Sequence, residues 1–182
     1  MSRSWVDALR TALEAEFGKQ ARIAALATVD SSHRPHVRSV VCRHLHDDGS
    51  LWVTSDRRTD KNEQARAQPF GEIAFWLPSR REQFRLSGPL AVLSTGDLRS
   101  QAWLALSDTA RALFFWDEPG APKLGDDLEA PGLVSSSVPI PDSFELLVLQ
   151  PDLAEFLDLK THPHRRLRWR VENRWTGEEI NP

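Results

Sequence analysis

The sequence is nearly free of cysteine. Cys42 is the only one among 182 residues, which excludes an internal disulfide and a cysteine-rich zinc site. No apolar run reaches the length that a membrane-spanning helix requires, and the first residues lack the apolar core of a secretory signal. We therefore expect a cytoplasmic protein with no membrane segment.

Positive charge is not in excess either. The chain carries 23 Lys+Arg and 26 Asp+Glu, a formal net charge of -3, so it does not have the overall profile of a nucleic-acid-binding protein. The segment 162–170 is locally basic and leaves an RNA- or protein-interaction surface open as an alternative. A metal site there is disfavoured, because Pro163 separates its two histidines and no adjacent carboxylate completes a ligand set. We predict no metal site and no nucleic-acid partner.

Several enzyme fingerprints are also missing. The sequence has no Gly-x-Ser-x-Gly nucleophile elbow, no glycine-rich dinucleotide motif and no P-loop. Cys42 lies in an apolar run, which predicts a small core residue rather than a nucleophile. These absences exclude the common serine-hydrolase, Rossmann and P-loop classes.

Short apolar runs separated by turn signals dominate the chain. We predict seven or eight strands, including hairpins around an Asp-Gly pair at 46–50 and around 150–152. A helix is predicted over about 4–17, ended by Gly18. Five of the 12 prolines fall in a long loop of about 118–141, a candidate lid or partner-contacting arm. This pattern predicts one mainly β domain over 1–182, an antiparallel barrel with peripheral helices.

The stretch from Arg38 to Lys61 has the ingredients of a phosphate site. Arg38 stands among valines on a predicted strand, and the chain returns through a hairpin to Thr54. Thr59 and Lys61 then open a predicted short helix, whose N-terminus offers free amide donors. A guanidinium and an ammonium group both bind phosphate oxygens. The alternative is a solvated basic loop with an ordinary helix cap.

A second stretch, 81–88, places Gln83 on one face of a strand with Arg85 and Ser87. An amide side chain offers a donor and an acceptor, which suits the edge of a heteroaromatic ring. The alternative is that these side chains simply face water.

Together, these stretches resemble the FMN-binding split barrel of the pyridoxamine 5′-phosphate oxidase-like proteins, in particular its short, uncharacterised branch. The resemblance covers about 22–170. Four segments match the family's motifs in order and spacing: Arg38-Ser39-Val40-Val41-Cys42-Arg43; Val53-Thr54 with Thr59-Asp60-Lys61; Arg81-Glu82-Gln83-Phe84-Arg85-Leu86-Ser87-Gly88; and Glu155-Phe156-Leu157 followed by Arg166-Leu167-Arg168-Trp169-Arg170.

The resemblance implies a homodimer with two FMN sites at the subunit interface. It assigns FMN binding to Arg38, Ser39, Val40, Val41, Val53, Thr54, Thr59, Lys61, Gln83 and Arg170. It assigns the substrate side to Arg43, Trp103 and Arg111.

The implied activity is an FMN-dependent oxidoreductase acting on a small, anionic substrate. The alternative is a module that binds or stores FMN, or a related ligand, without turnover. The chain departs from the oxidase itself, since Leu157 stands where the family has a flavin-stacking Trp, and Trp103, Ser107 and Arg111 align with its substrate-phosphate Tyr, Arg and Ser. The resemblance thus supports FMN binding better than pyridoxamine-phosphate oxidation.

Overall fold

Antiparallel hairpins close into a barrel. The computed structural model describes residues 4–122 and 131–182. The strands are β1 Arg22–Val29, β2 Pro35–Leu45, β3 Leu51–Asp56, β4 Phe70–Leu77, β5 Glu82–Leu93, β6 Phe144–Leu149, β7 Leu153–Asp158, β8 Arg165–Arg170 and β9 Glu178–Ile180. The helices are α1 Ser4–Phe17, α2 Asp60–Ala67, α3 Asp97–Leu104 and α4 Asp108–Ala112, followed by a 3₁₀ turn, Leu113–Phe115.

The strands follow the order β4-β1-β2-β3-β6-β5-β7-β8-β9, and an additional β4–β5 pairing closes the first six into a barrel. Every pairing is antiparallel. β5 is long enough to serve two partners: its first half pairs with β7 and its second half with β6. The predicted antiparallel barrel with peripheral helices is confirmed.

Alternation along the strands sends one set of side chains into the barrel. Leu26, Ile73 and Leu86 lie in one row on β1, β4 and β5 and are fully buried. Trp5 and Leu9 from the apolar face of α1 join the same core. Gly18 ends α1 in a left-handed conformation, φ 51°, and its N–H donates to the carbonyl of Glu14. The predicted helix and its stop signal are confirmed.

A second, smaller core lies outside the barrel. Helices α3 and α4 and the 3₁₀ turn pack on the outer face of β3 and β6, where they bury Trp52, Trp103, Phe114, Phe144 and Leu146. Phe114 and Phe144 meet edge to face with centroids 4.8 Å apart. This layer forms a wall beside the outer face of β2.

A β-bulge in β2 changes which residues face outward. The register passes from Cys42 opposite Val53 to His44 opposite Trp52, so β2 contains one extra residue. Arg43 and His44 are therefore both exposed, while Cys42 and Leu45 are buried. A bulge of this kind redirects side chains at the rim of a barrel.

Three local expectations need correction. The sequence predicts a final strand over 175–180. The strand begins only at Glu178, because Arg174 and Trp175 adopt positive φ angles of 50° and 60° in a turn. Thr59 precedes α2, but its hydroxyl donates to the carbonyl of Asp56 instead of accepting from the helix. The sequence predicts a short helix over about 97–106, and α3 ends two residues earlier, at Leu104.

The long loop predicted over about 118–141 includes 123–130, which lie outside the described residues. Its proposed role stays a prediction. Among the helices that the structure describes, none is both long and apolar enough to cross a membrane.

Gly88 lies where β5 changes its pairing partner from β7 to β6, and we predict that a larger residue does not fit there. A Cβ there would lie 2.2 Å from the carbonyl oxygen of Gln150 and 2.9 Å from both the amide N of Asp152 and the Cα of Pro151. All three are backbone atoms, so Gly88→Ala should lower the free energy of unfolding by about 1–3 kcal/mol in urea titrations. Gly132→Ala, where a Cβ meets nothing within 4 Å, is the control and should be nearly neutral; equal stability of the two variants would contradict the packing described.

Candidate functional site

A cleft of about 350 Å³ lies on the outer face of β2 and β3. We call it the β2 cleft. Its far wall is the 3₁₀ turn, through Leu113 and Phe114. Five residues predicted to bind the cofactor line it: Ser39, Val40, Val41, Thr54 and Lys61.

One end of the β2 cleft is cationic. The ammonium group of Lys61 is half-buried and donates a 2.7 Å hydrogen bond to Oγ1 of Thr59. Burial, together with the nearby positive charge of Arg38, lowers the pKa of Lys61. The two cations are thus close enough to repel each other, and an anion placed between them would relieve that repulsion.

Arg38 does not line the β2 cleft, but it lies near enough for its charge to act on Lys61. It lies opposite Leu26, so its side chain is directed to the inner face, and its guanidinium donates to Oγ1 of Thr28 at 2.5 Å and to Oε1 of Gln64 at 2.8 Å. Burial lowers the pKa of Arg38. Its hydrogen-bond partners among the described residues are neutral, so its charge is not matched by a bonded carboxylate.

Helix α2 is tied to the barrel through a buried carboxylate that sequence reasoning missed. Glu145 on β6 is fully buried and accepts hydrogen bonds from Asn62 Nδ2 and Ser94 Oγ, each at 2.6 Å, and from Arg66. Burial favours a raised pKa for Glu145, but these hydrogen bonds outweigh it, and the pKa lies below its ordinary value. The signal that could have revealed Glu145 is one charged residue in the apolar strand Phe-Glu-Leu-Leu-Val-Leu.

Two predicted cofactor residues lie elsewhere. Gln83 lines a separate hollow of about 110 Å³ together with Leu157 and Arg166. Arg170 pairs with Leu153 at the other end of β7, and its Nε is buried without a hydrogen-bond partner among the described residues. The structure therefore does not bring Gln83 and Arg170 to the β2 cleft of the same chain.

Three other predicted residues, Val53, Thr59 and Arg43, lie in or beside the β2 cleft. Val53 is 1% exposed and points into the barrel core, so it supports the cleft from behind. Thr59 holds Lys61. Arg43 lines the β2 cleft at the bulge, and its Nε lies 3.4 Å from Oγ1 of Thr54.

Trp103 and Arg111, which the resemblance assigns to the substrate side, are both buried. Trp103 is 1% and Arg111 4% exposed, both within the outer core. The guanidinium of Arg111 donates to the carbonyls of Trp103, Leu106 and Val134 and to the carboxylate of Asp108. The donors of Arg111 are used by the chain itself, and neither residue lines the β2 cleft.

The fold and the cleft together indicate a class of protein, a barrel that binds a small ligand on its outer face. A closed antiparallel barrel carries an outer cleft whose walls are apolar and whose one end is cationic, and a ligand with an anionic tail and a flat apolar body fits such a site.

Comparison with known proteins identifies the family. Residues 2–94 match the family model described as pyridoxamine 5′-phosphate oxidase, FMN-binding domain. The chain is 34% identical to a pyridoxamine 5′-phosphate oxidase-related, FMN-binding protein of Nostoc punctiforme. That structure superposes with a TM-score of 0.89 and 98% of each chain covered. The chain belongs to the pyridoxamine 5′-phosphate oxidase family of FMN-binding proteins.

Two further relatives are more distant. The pyridoxine/pyridoxamine 5′-phosphate oxidase 2 of Arabidopsis thaliana is 29% identical over 98% of this chain and 96% of its own length. PhzG of Burkholderia lata is 19% identical, with a TM-score of 0.74 over 97% of this chain and 89% of PhzG. The PhzG likeness supports the fold alone.

The Glu145 network should stabilise the protein in a pH-dependent way. Glu145→Gln removes the charge and sets an amide NH2 group against the donors of one carboxylate oxygen, which should cost about 1–3 kcal/mol of unfolding free energy at neutral pH. The folded pKa of Glu145 is lowered, so the carboxylate's contribution is complete above the ordinary carboxyl pKa and disappears as the pH falls through the folded value. Urea unfolding at several pH values should therefore show the difference between wild type and variant shrinking in acid.

Glu179→Gln is the matched control. Glu179 forms an exposed ion pair with Arg165, and such pairs contribute about 1 kcal/mol or less. A Glu145→Gln variant as stable as this control would contradict the anchoring of α2.

Proposed function

We propose that the protein binds FMN in the β2 cleft and acts as an FMN-dependent oxidoreductase on a small, anionic substrate. The observation that carries the proposal is the cation Lys61 at one end of an apolar cleft, with the charge of Arg38 nearby, in a chain of an FMN-binding family. The volume of about 350 Å³ lies within the range of small-molecule sites.

The donor set fits a phosphorylated flavin. Lys61 and Arg38 supply positive charge, and the hydroxyls of Thr59 and Thr54 lie at or near the same end. Backbone groups of Ser39, Val40 and Val41 would meet the ring system along β2. The apolar side chains in the wall exclude water from the ring, which strengthens polar contacts at its edges.

When bound, FMN supplies hydride and electron transfer, so the chain itself needs to bind, orient and shield. Arg43 lies on the same face of the sheet as the cleft, at the bulge, where its exposed guanidinium would hold an anionic substrate. Lys61, whose pKa is lowered by burial and by the charge of Arg38, would be the cation that binds the phosphate.

A homodimer would complete the site. Two strands, β1 and β4, lie between Gln83 on β5 and strand β2. At ~4.8 Å per strand, β5 and β2 are about 14 Å apart across the sheet. The intervening outer face has small central residues, Ala25 and Ala74, which are paired with each other. Around them lie exposed apolar side chains, Ile23 at 43%, Val37 at 68% and Trp76 at 48%.

Such a face suits a flat interface between two copies of the chain, because large exposed apolar patches on soluble proteins mark association surfaces. In the proposed dimer, Gln83 and Arg170 of one copy would approach the β2 cleft of the other. The buried, unpartnered Nε of Arg170 would then have an acceptor on the flavin.

The relatives named as pyridoxine/pyridoxamine 5′-phosphate oxidases make vitamin B6 phosphates the reference substrates. The buried positions of Trp103 and Arg111 argue against that substrate for this chain. We therefore propose a different small anion, held at Arg43.

A non-catalytic FMN-binding module is the second candidate. Among the described residues that line the β2 cleft, the one ionisable acid is Asp56, which is bonded to Arg58, and no histidine is present. A site without a free acid or base is compatible with storage as well as with hydride transfer.

Lys61→Met should weaken FMN binding about 10- to 150-fold, the equivalent of about 1.5–3 kcal/mol for a charge-assisted hydrogen bond. Quenching of flavin fluorescence on titration measures the affinity. Lys160→Met, which removes the same charge from an exposed turn, should change nothing. FMN bound equally well by both variants would contradict the proposed phosphate position.

Ala74→Arg should convert a dimer into monomers, because it inserts an unpaired charge at the centre of the proposed interface. Size-exclusion chromatography with light scattering measures the mass. Ala15→Arg, on the exposed side of α1, is the control and should stay dimeric. A monomeric wild type, or a dimeric Ala74→Arg variant, would overturn the proposed interface.

Turnover separates the two candidate functions. Purified protein loaded with FMN is mixed anaerobically with a set of small anionic electron donors, and bleaching of the visible flavin spectrum is followed against free FMN. A donor that bleaches bound FMN faster than free FMN supports the oxidoreductase; equal rates for every donor support the binding module.

A further inference from the structure

A second pocket, unrelated to the predicted site residues apart from Arg43, lies next to the β2 cleft. Its volume is about 510 Å³, in the range of small-molecule sites. The strands supply Arg43, His44, His46 and Trp52, and the end of helix α3 supplies Gln101, Ala102, Ala105 and Leu106. We call it the α3 pocket.

The bulge in β2 creates this pocket. The extra residue leaves both Arg43 and His44 exposed, so Arg43 lines the β2 cleft and the α3 pocket at once. On β3, two alternate residues face outward: Thr54 lines the β2 cleft, and Trp52 lines the α3 pocket. The two hollows are therefore neighbours on one sheet face, and Arg43 lies between them.

The strand side of the α3 pocket is aromatic. The ring of His46 lies 4.1 Å from that of His44 and 4.4 Å from that of Trp52, centroid to centroid. Burial and the neighbouring His44 lower the pKa of His46. The helix side is mostly apolar, with Ala102, Ala105 and Leu106. An aromatic wall facing an apolar wall favours a flat ring system.

The charge of the lining selects an anion. Arg43 is the one arginine or lysine in the lining, and no described carboxylate forms an ion pair with it. A guanidinium matches a carboxylate through two parallel hydrogen bonds. The helix residues belong to the C-terminal end of α3, where the helix dipole is negative, so the anionic group of a ligand belongs beside Arg43 and not against the helix.

A buried polar atom is also left over in this cluster. Nε2 of His46 is buried and has no hydrogen-bond partner among the described residues. A ligand, or a water ordered by it, would satisfy this nitrogen.

We propose that the α3 pocket binds a flat aromatic carboxylic acid, which stacks on His44, His46 and Trp52 while its carboxylate pairs with Arg43. The site is formed by this chain alone and needs neither bound FMN nor a second subunit. Because it shares Arg43 with the substrate position proposed above, the two anions would compete for that guanidinium.

Isothermal titration with naphthoate and its uncharged analogue naphthamide tests the charge preference. Wild type should bind naphthoate at least ten-fold more tightly than naphthamide. Arg43→Gln should abolish that preference, whereas Arg174→Gln, which removes the same charge from an exposed turn, should keep it. Equal affinity of wild type for the two probes, or no binding of either, would overturn the proposal.

Filling the pocket tests its location. Ala105 is exposed at the end of α3, so Ala105→Trp should fill the hollow without disturbing the core, as thermal unfolding would verify. It should weaken naphthoate binding at least ten-fold and leave FMN affinity unchanged. Unaltered naphthoate binding in a folded Ala105→Trp protein would refute the site.

The titrations are run with and without added FMN. Naphthoate binding without FMN supports the α3 pocket even if FMN does not bind at all, so the two proposals fail separately.

Discussion

Lys61 lies in the β2 cleft, and the positive charge of Arg38 on the inner face of β2 is near enough to act on it. The proposed function depends on this arrangement. Each charge is partly removed from water, and the chain surrounds Arg38 with neutral acceptors rather than carboxylates. The arrangement is costly without an anion, because like charges repel more strongly when they are shielded from water. A phosphate group would offset that cost.

The fold keeps these charges in place through α2. Lys61 lies in the first turn of this short helix, and the far side of the helix is bonded to Glu145 on β6. A short helix has little stability of its own, so the buried carboxylate fixes its position. The barrel thus orients the cationic group through a contact between residues 83 positions apart in the sequence.

Local signals predicted most of the fold. Alternation, turn residues and the glycine after α1 identified the strands and the first helix, because these depend on neighbours in the chain. The same signals could not predict that Arg38 points into the barrel or that Arg111 is buried against carbonyl groups, since both depend on packing between distant elements. The α3 pocket was missed for a related reason: the bulge after Cys42 changes the alternation that exposes His44. Glu145 was missed because its partners come from α2 and from the end of β5.

The central claim is that the cationic end of the β2 cleft recognises the phosphate of FMN. Riboflavin has the same ring and ribityl chain but no phosphate, so equilibrium dialysis of the protein against the two ligands isolates this contact. The account predicts that FMN binds at least ten-fold more tightly than riboflavin and that added inorganic phosphate narrows the difference. Equal affinity for the two ligands, or binding of neither, would contradict it.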